Sequence, residues 1–492
     1  MSNISQLEPT SLWQLFDKIC SIPHPSKHEQ KISLWIQDWA KQLGLVVKED
    51  TVGNLFIKKP ATAGMEDRKG VILQAHMDMV PQKNNDTNHD FITDSIKPYI
   101  IDTDDTNSGR WVTAEGTTLG ADNGVGLASA LAILASDDIP HGPLEVLVTI
   151  DEEAGMTGAF GLKAGWLDGD ILINTDSEQE GEVYMGCAGG IDGHASFLLS
   201  FEEVPSDYQA FNLSISGLKG GHSGVDIHTG RANANKLLVR FLLNAYSDFN
   251  ISLTDLNGGS LRNAIPRDAN ASFVVANDKV AALKLALADY LTTIKTNLAA
   301  IETNIDMVLI SPEPFDKCWT KATQTSILQA LNACPNGVMR MSDDIKGIVE
   351  TSLNLGIIET QGTQLNAMVL IRSLHDDGRL ETQQTVQSVF KLAGVNIVFS
   401  GAYPGWKPNK DSAIMNVVRD TYQSLFKKIP AIMVIHAGLE CGLFKTAYPH
   451  WDMVSIGPTI KFPHSPDEKI DIDTVTQYWQ LLVAVLANIP QK

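Results

Sequence analysis

The stretch Val71-Ile72-Leu73-Gln74-Ala75-His76-Met77-Asp78 decides the reading of this chain. Four of its first five residues are apolar or small, the pattern of a buried parallel strand. It ends on a histidine and a carboxylate two positions apart, and residues i and i+2 of an extended chain point to the same side. His76 and Asp78 are therefore expected to project together from the carboxyl end of a strand, where open α/β sheets place their sites. Alone, the pair reads more readily as a core histidine with a chance aspartate. Three later junctions reverse that balance. The loop Gly120-Ala121-Asp122-Asn123-Gly124-Val125-Gly126 sets Asp122 just ahead of a helix to about Ala135, between glycines that let backbone approach closely. The apolar strand Leu144 to Ile150 runs into Asp151-Glu152-Glu153, and Ile171 to Thr175 ends on Asp176. Such junctions, repeated between His76 and Asp176, point to one shared site.

The chain has 492 residues, 43% hydrophobic and 20% charged, ordinary for a globular protein large enough for two or three domains. A net charge of −20 argues against nucleic acid or an anionic membrane as partner. No apolar run approaches the roughly 20 residues of a membrane span. Met1 to Thr10 lacks a secretory signal pattern. The five cysteines are widely spaced without a CxxC, so a disulfide framework or thiolate zinc site is not expected. A cytoplasmic location and hard metal ligands follow as expectations. The glycine loop at 120–126 has neither GxGxxG nor a following lysine, which disfavours a nucleotide site.

Helices are expected over Ser11 to Cys20, Lys27 to Leu43, and after the 117–126 loop to about Ala135, with short strands at Leu45 to Val47 and Asn54 to Lys58. The polar segment Pro81 to Arg110 reads as a surface excursion. After Gly189-Gly190 the character changes to half-exposed alternating strands, such as Phe211 to Ser216 and Ala269 to Val275, mixed with helices near 232–245, 280–298, 323–333 and 382–392. This reads as an inserted α+β domain, with two related halves as one arrangement that no internal repeat proves. From Ser412 the first character returns, with a helix to Phe426, strands at 431–436 and 453–456, and a last helix over 472–487.

His76, Asp122, Glu153, Asp176 and His464 make a set of two histidines and three carboxylates suited to zinc, cobalt or manganese. An aspartate can bridge two ions about 3.5–4 Å apart, which would share a hydroxide and polarise a carbonyl. Glu152, beside a ligand but not itself needed as one, can carry the proton. Asp78 can orient the His76 imidazole.

The motifs His76-Met77-Asp78, Gly120-Ala121-Asp122-Asn123-Gly124, Asp151-Glu152-Glu153-Ala154-Gly155, Asn174-Thr175-Asp176 and Pro463-His464-Ser465, in this order, resemble those of the M20 metallopeptidase family. Gly220-Gly221-His222-Ser223-Gly224 is similar to the family's lid motif, and the resemblance covers essentially the whole chain. The stretches 81–86, 184–192 and 436–442 resemble its Xaa-His dipeptidases. The resemblance implies an α/β catalytic domain with a two-metal site, a mixed sheet flanked by helices, interrupted by an inserted α+β lid domain. The catalytic domain would span 1–188 plus 406–492 and the lid 189–405. It implies two zinc ions per chain, with cobalt or manganese as substitutes. His76, Asp122 and Asp176 would hold one, and Asp122, Glu153 and His464 the other. Glu152 would be the general base and Asp78 would tune His76. The peptide after Asp122 is usually cis in the family. His222 would stabilise the oxyanion, Asn263 and Arg372 would bind the substrate carboxylate, and Glu440, with Gly438 nearby, would face the substrate amine.

The implied activity is hydrolysis of unblocked dipeptides, preferentially Xaa-His such as β-alanyl-histidine, by a metal-bridged hydroxide. The rivals are an N-acyl amino acid deacylase of the same family and a non-catalytic metal-dependent binding module. Glu440 speaks against the first and Glu152 against the second. The family leaves open a homodimer through the lid or a long lid whose second half imitates the partner.

Overall fold

The structure, a computed structural model, describes residues 3–102, 109–343 and 345–492. The chain forms two compact units, one of Met1–Gly186, Pro408–Val434 and Leu439–Lys492, the other of Cys187–Lys407 and Ile435–Gly438.

The first unit is built on an eight-stranded mixed sheet in the order Val46–Glu49, Leu55–Lys59, Leu144–Thr149, Val71–His76, Ile171–Asn174, Asp452–Ser455, Glu182–Cys187, Ala431–Ile435. Its four middle strands, from Leu144–Thr149 to Asp452–Ser455, are mutually parallel. Every residue of Val71–His76, Leu144–Thr149 and Ile171–Asn174 is buried, which is why these strands read as largely apolar runs, interrupted only by residues such as Gln74 and Glu145. Parallel pairing brings their carboxyl ends to one edge. Helix Ala121–Ala135 is buried except for Asp122 and Ala135, a core helix apolar all round. Thr10–Cys20 turns Leu12, Trp13, Phe16 and Ile19 inward at helical spacing. Ile472–Ala487 starts where the Asp471 carboxylate accepts the N–H groups of Asp473 and Thr474.

The polar stretch 81–110 holds more order than its composition signals. Pro98–Asp102 pairs with Arg110–Ala114, which pairs with Lys469–Asp471 in a separate four-stranded sheet. Residues 103–108 of that stretch lie outside the described residues.

Among the described residues the second unit carries a nine-stranded antiparallel sheet, eight strands of which form two halves of the same topology while Gly337–Met341 pairs with Val349–Gln361 as the ninth. Each half runs strand, helix, two strands, helix, strand. The first comprises Tyr208–Ser216, Ala234–Phe249, Ser252–Gly258, Ala269–Ala276, Val280–Leu298 and Asp306–Ile310. The second comprises Gly189–Leu198, Lys321–Ala333, Val349–Gln361, Gln364–Ser373, Asp376–Leu392 and Ile397–Tyr403. In both, the first strand lies between the third and the fourth. The opening strand of the second half thus precedes the entire first half in sequence. Its diglycine start hides it from a propensity reading. Ile435–Gly438, which the sequence groups with the residues around it, belongs to this unit: the Ala188 N–H reaches Ile435 O at 3.0 Å and Ala437 O at 3.1 Å.

Candidate active site

Three parallel strand ends of the first unit, the start of helix Ala121–Ala135 and the loop after Ile460–Lys461 bring five of the expected residues together. His76 Nε2 lies 3.2 Å from Asp122 Oδ1 and 3.3 Å from Asp176 Oδ1. His464 Nε2 lies 3.2 Å from Asp122 Oδ2 and 3.0 Å from Glu153 Oε2. Asp122 therefore turns one oxygen to each histidine. His76, Asp122 and Asp176 form one group with ligand atoms within 4.8 Å of one another, and Asp122, Glu153 and His464 form a second. Among the described residues, no Lys or Arg pairs with these carboxylates. So much buried negative charge needs cations, and a set of carboxylate and imidazole without thiolate fits zinc, cobalt or manganese. The electrostatics agree. Burial alone would lower the His464 ring, but Asp122 and Glu153 push it up to about 11. Burial, then Asp122, raises Glu153 to about 7.

Supporting contacts fix these groups. The Asp78 main-chain carbonyl lies 3.0 Å from His76 Nδ1, and its carboxylate Oδ1 lies 3.4 Å from the same nitrogen. Asp78 also accepts the N–H of Glu152 at 2.9 Å, the N–H of Glu153 at 3.2 Å and the Ser26 hydroxyl at 2.8 Å. One buried carboxylate thus organises both the first histidine and the acidic turn. Glu152 is held well above the usual carboxylate range, first by burial and then by Asp176, Glu153 and Glu440, with His76 opposing. The Asp122–Asn123 peptide is cis. Asn123 Nδ2 donates to the Thr175 carbonyl at 3.0 Å and to Asp176 Oδ1. Gly126 permits this: a Cβ there would lie 2.1 Å from Asn123 Oδ1 and 2.7 Å from Thr175 O.

Two residues beyond the sequence reading belong to this framework. Buried Glu468 accepts the N–H groups of Leu119, Gly120, Ala121 and Asp122 at 2.8–3.3 Å, tying the loop that carries Asp122 to the one that carries His464. Gln74, two residues before His76 and so on the same side of the strand, donates to Glu440 Oε2 at 2.6 Å. A polar residue inside an apolar strand was the available signal. Glu440 opens helix Glu440–Ala447 and is fully buried; Thr149 also donates to its Oε2, at 2.8 Å, while Oε1 has no partner among the described residues. Burial first, opposed by His76, Thr149 and Gln74, pushes its carboxyl up to about 8.

The second unit brings His222 and Arg372 together. Gly221–His222 pairs with Ala264–Ile265. His222 Nδ1 accepts the N–H groups of Gly224 and Val225 at 3.2 and 3.1 Å, which places the ring proton on Nε2. Burial and then Arg372 push this histidine down to about 4, so the ring is a neutral donor. Gly224 is needed here, because a Cβ would lie 2.0 Å from His436 O. Arg372 is buried, with Nη1 donating to Tyr403 Oη at 3.1 Å and Nη2 3.4 Å from His222 Nε2. Its Nε is buried without a partner, and no carboxylate among the described residues pairs with it. Asn263 is exposed; its carbonyl accepts the Ser223 N–H at 2.8 Å. Gly438 lies beside the Tyr403 ring in this unit, whereas Glu440 belongs to the first. His436, for which no role was expected, is buried with Nε2 2.8 Å from Ser352 Oγ and Nδ1 without a partner among the described residues. All five cysteines are buried without disulfides among the described residues, and no helix among them is long and apolar enough to cross a membrane.

The family model described as peptidase family M20/M25/M40 matches residues 72–488. The cytosol non-specific dipeptidase of Escherichia coli (strain K12) is 55% identical over 492 residues, covering 100% of both chains. The solved aminoacylhistidine dipeptidase of Vibrio alginolyticus matches with a TM-score of 0.89 at 58% identity, over 100% of this chain and 99% of that one. Aminopeptidase PepT of Bacillus cereus shares the fold, with a TM-score of 0.60 at 18% identity over 98% and 99% of the two chains.

Proposed function

This chain belongs to peptidase family M20/M25/M40, and we propose that it is a two-metal dipeptidase that hydrolyses unblocked dipeptides, with Xaa-His such as β-alanyl-histidine preferred. The observation that carries the reading is Glu440, a buried carboxylate with one oxygen saturated by Gln74 and Thr149 and the other unpartnered. An acyl group has no use for such a group, whereas a primary ammonium does. The names of the two close relatives, cytosol non-specific dipeptidase and aminoacylhistidine dipeptidase, support it.

In this reading His76, Asp122 and Asp176 hold one zinc and Asp122, Glu153 and His464 the other, with cobalt or manganese as substitutes. The bound metals supply Lewis acidity that acidifies a water and polarises the scissile carbonyl. Glu152 takes a proton on its carboxylate as the base and returns it to the leaving nitrogen. Its raised affinity for a proton supports that role. Asp78 keeps His76 oriented through Nδ1. The second unit serves as the lid. His222 Nε2–H donates to the oxyanion, a role supported by its neutral ring and committed Nδ1. Arg372, helped by Asn263, grips the substrate carboxylate; a buried guanidinium without a carboxylate partner supports this. Glu440 receives the ammonium.

The test is turnover of β-alanyl-histidine, N-acetyl-histidine and a tripeptide by the metal-loaded protein. Turnover of the dipeptide with little of the other two is expected. Comparable turnover of N-acetyl-histidine overturns the reading in favour of a deacylase.

A further inference from the structure

A row of buried polar side chains crosses the four parallel strands of the first unit and ends on Glu440. Ser455, Asn174 and Gln74 are register neighbours on three adjacent strands, so their side chains meet laterally. Ser455 Oγ lies 2.6 Å from Ser177 Oγ and donates to Asn174 Oδ1. Asn174 Nδ2 donates to Gln74 Oε1 at 2.5 Å. Gln74 Nε2 donates to Glu440 Oε2 at 2.6 Å. Thr149, on the strand beyond, adds its hydroxyl to the same oxygen at 2.8 Å. Gln74, Thr149, Asn174 and Ser455 are wholly inaccessible to solvent.

The direction of the row is set at one point. The backbone N–H of Asp176 donates to Asn174 Oδ1 at 3.2 Å, and a backbone N–H can only donate. The atom it meets must be the amide oxygen, so the Asn174 NH2 faces Gln74. Gln74 must then present its own oxygen to Asn174, which leaves its NH2 for Glu440. Along the row the donors face the Glu440 end, with Gln74 Nε2 also donating to Thr149 Oγ1 at 3.2 Å, and none reaches Oε1, which is buried without a partner among the described residues. A row whose only task was to tie strands together has no need to end by saturating one oxygen of a buried carboxylate and sparing the other.

We infer that this oriented row is a specificity device: it locks Glu440 in place and leaves Oε1 for the primary ammonium of the substrate, making Gln74, Asn174 and Thr149 positioning residues for the choice of unblocked over acylated substrates. The inference rests on the assignment of Glu440 to the ammonium end. Asn174 acts at two removes from Glu440. An aspartate at 174 would still accept from the Asp176 N–H and Ser455, but it would offer an acceptor where Gln74 needs a donor. Gln74 then turns over, and its oxygen faces Glu440.

The test compares two molecules that differ only by the amine, β-alanyl-histidine as substrate and propanoyl-histidine as competitive inhibitor. The variants are N174D, Q74M and T149V in the metal-loaded full chain, with metal content measured and E440Q as reference. Losing one hydrogen bond to a charged group predicts that KM for β-alanyl-histidine rises about tenfold in N174D and Q74M, and less in T149V. Ki for propanoyl-histidine stays within about twofold and two metals remain per chain. A merely structural row would move both constants together, and that result, or no change in either, overturns the inference. If E440Q raises KM while the three row variants do not, the row alone is refuted. If E440Q also leaves KM unchanged, the assignment of Glu440 fails and the inference fails with it. T149V, which removes one methyl-sized polar group, keeps the test open should the amide variants not fold.

Discussion

Replacing Gly126 by alanine is a sharp test of how the site is held. Gly126 lies in helix Ala121–Ala135, where helix propensity alone predicts a gain of about 1 kcal/mol for alanine. The structure predicts the reverse. The new Cβ would stand 2.1 Å from Asn123 Oδ1, 2.4 Å from Thr175 Oγ1 and 2.7 Å from the Thr175 carbonyl. Restoring ordinary contact needs movements of about 1 Å, and interiors this dense do not absorb them freely. Asn123 cannot move that far and still donate to both Thr175 O and Asp176 Oδ1. Overpacking costs about 1–3 kcal/mol and each buried group left unpaired a further 1–3 kcal/mol. A net loss of about 3–6 kcal/mol corresponds to a fall in Tm of roughly 5–10 °C for a unit of this size. Because Asn123 holds Asp176, a displacement of this size should also cost about 100-fold in kcat/KM. Thermal unfolding of the metal-free protein and cobalt titration of the folded variant provide the assays. A variant as stable as the parent, with unchanged cobalt affinity and turnover, would refute the reasoning.

Other outcomes follow from the same geometry. Glu152→Gln should lower kcat by about 10²–10⁴-fold and leave metal uptake intact; loss of metal instead would make Glu152 a ligand. Arg372→Met should raise KM for a dipeptide by roughly 30- to 1,000-fold, the equivalent of about 2–4 kcal/mol. Its Tm should hold or rise, because a buried guanidinium without a carboxylate partner is removed; a large fall in Tm would mark Arg372 as structural. Burial, then Arg372, pushes His436 down to about 3, below the roughly 6.5 of an unfolded histidine. The unfolded chain therefore takes up the proton first. The stability held by the neutral ring is complete above about pH 6.5 and is lost as pH falls toward 3, at up to about 1.4 kcal/mol per pH unit. His436→Gln should flatten the acid limb of a Tm-against-pH curve, and an unchanged limb would show that His436 does not titrate this way.

The parallel core was legible because full burial writes itself as apolar runs, and the residues that end those runs stand out against them: His76, Glu153 and Asp176 after three strands, Asp122 at a helix start. The strand Gly189–Leu198 was not, since its diglycine opening carries no strand preference and its partners lie far along the chain, at Gln364–Ser373 and Ile397–Tyr403. The hairpin of Pro98–Asp102 and Arg110–Ala114 was hidden by polar neighbours for a similar reason. Glu468 did not stand out in the sequence, because what distinguishes it is four backbone N–H groups from a loop nearly 350 positions earlier. His436 was unreadable in kind: its environment is made by Ser352, Arg372 and His222, which the fold brings together. Ligand types and their order are local in sequence. The contacts that aim them are not.

The proposal that Asp122 would help to hold two metal ions is tested most directly by titrating cobalt into chelator-stripped protein while metal uptake and β-alanyl-histidine turnover are followed together. Two ions per chain and full turnover only near the second equivalent are expected, with Asp122→Asn weakening the binding of both ions. Full activity at one equivalent or with none, or an Asp122→Asn variant that binds two ions as tightly as the parent, would contradict it.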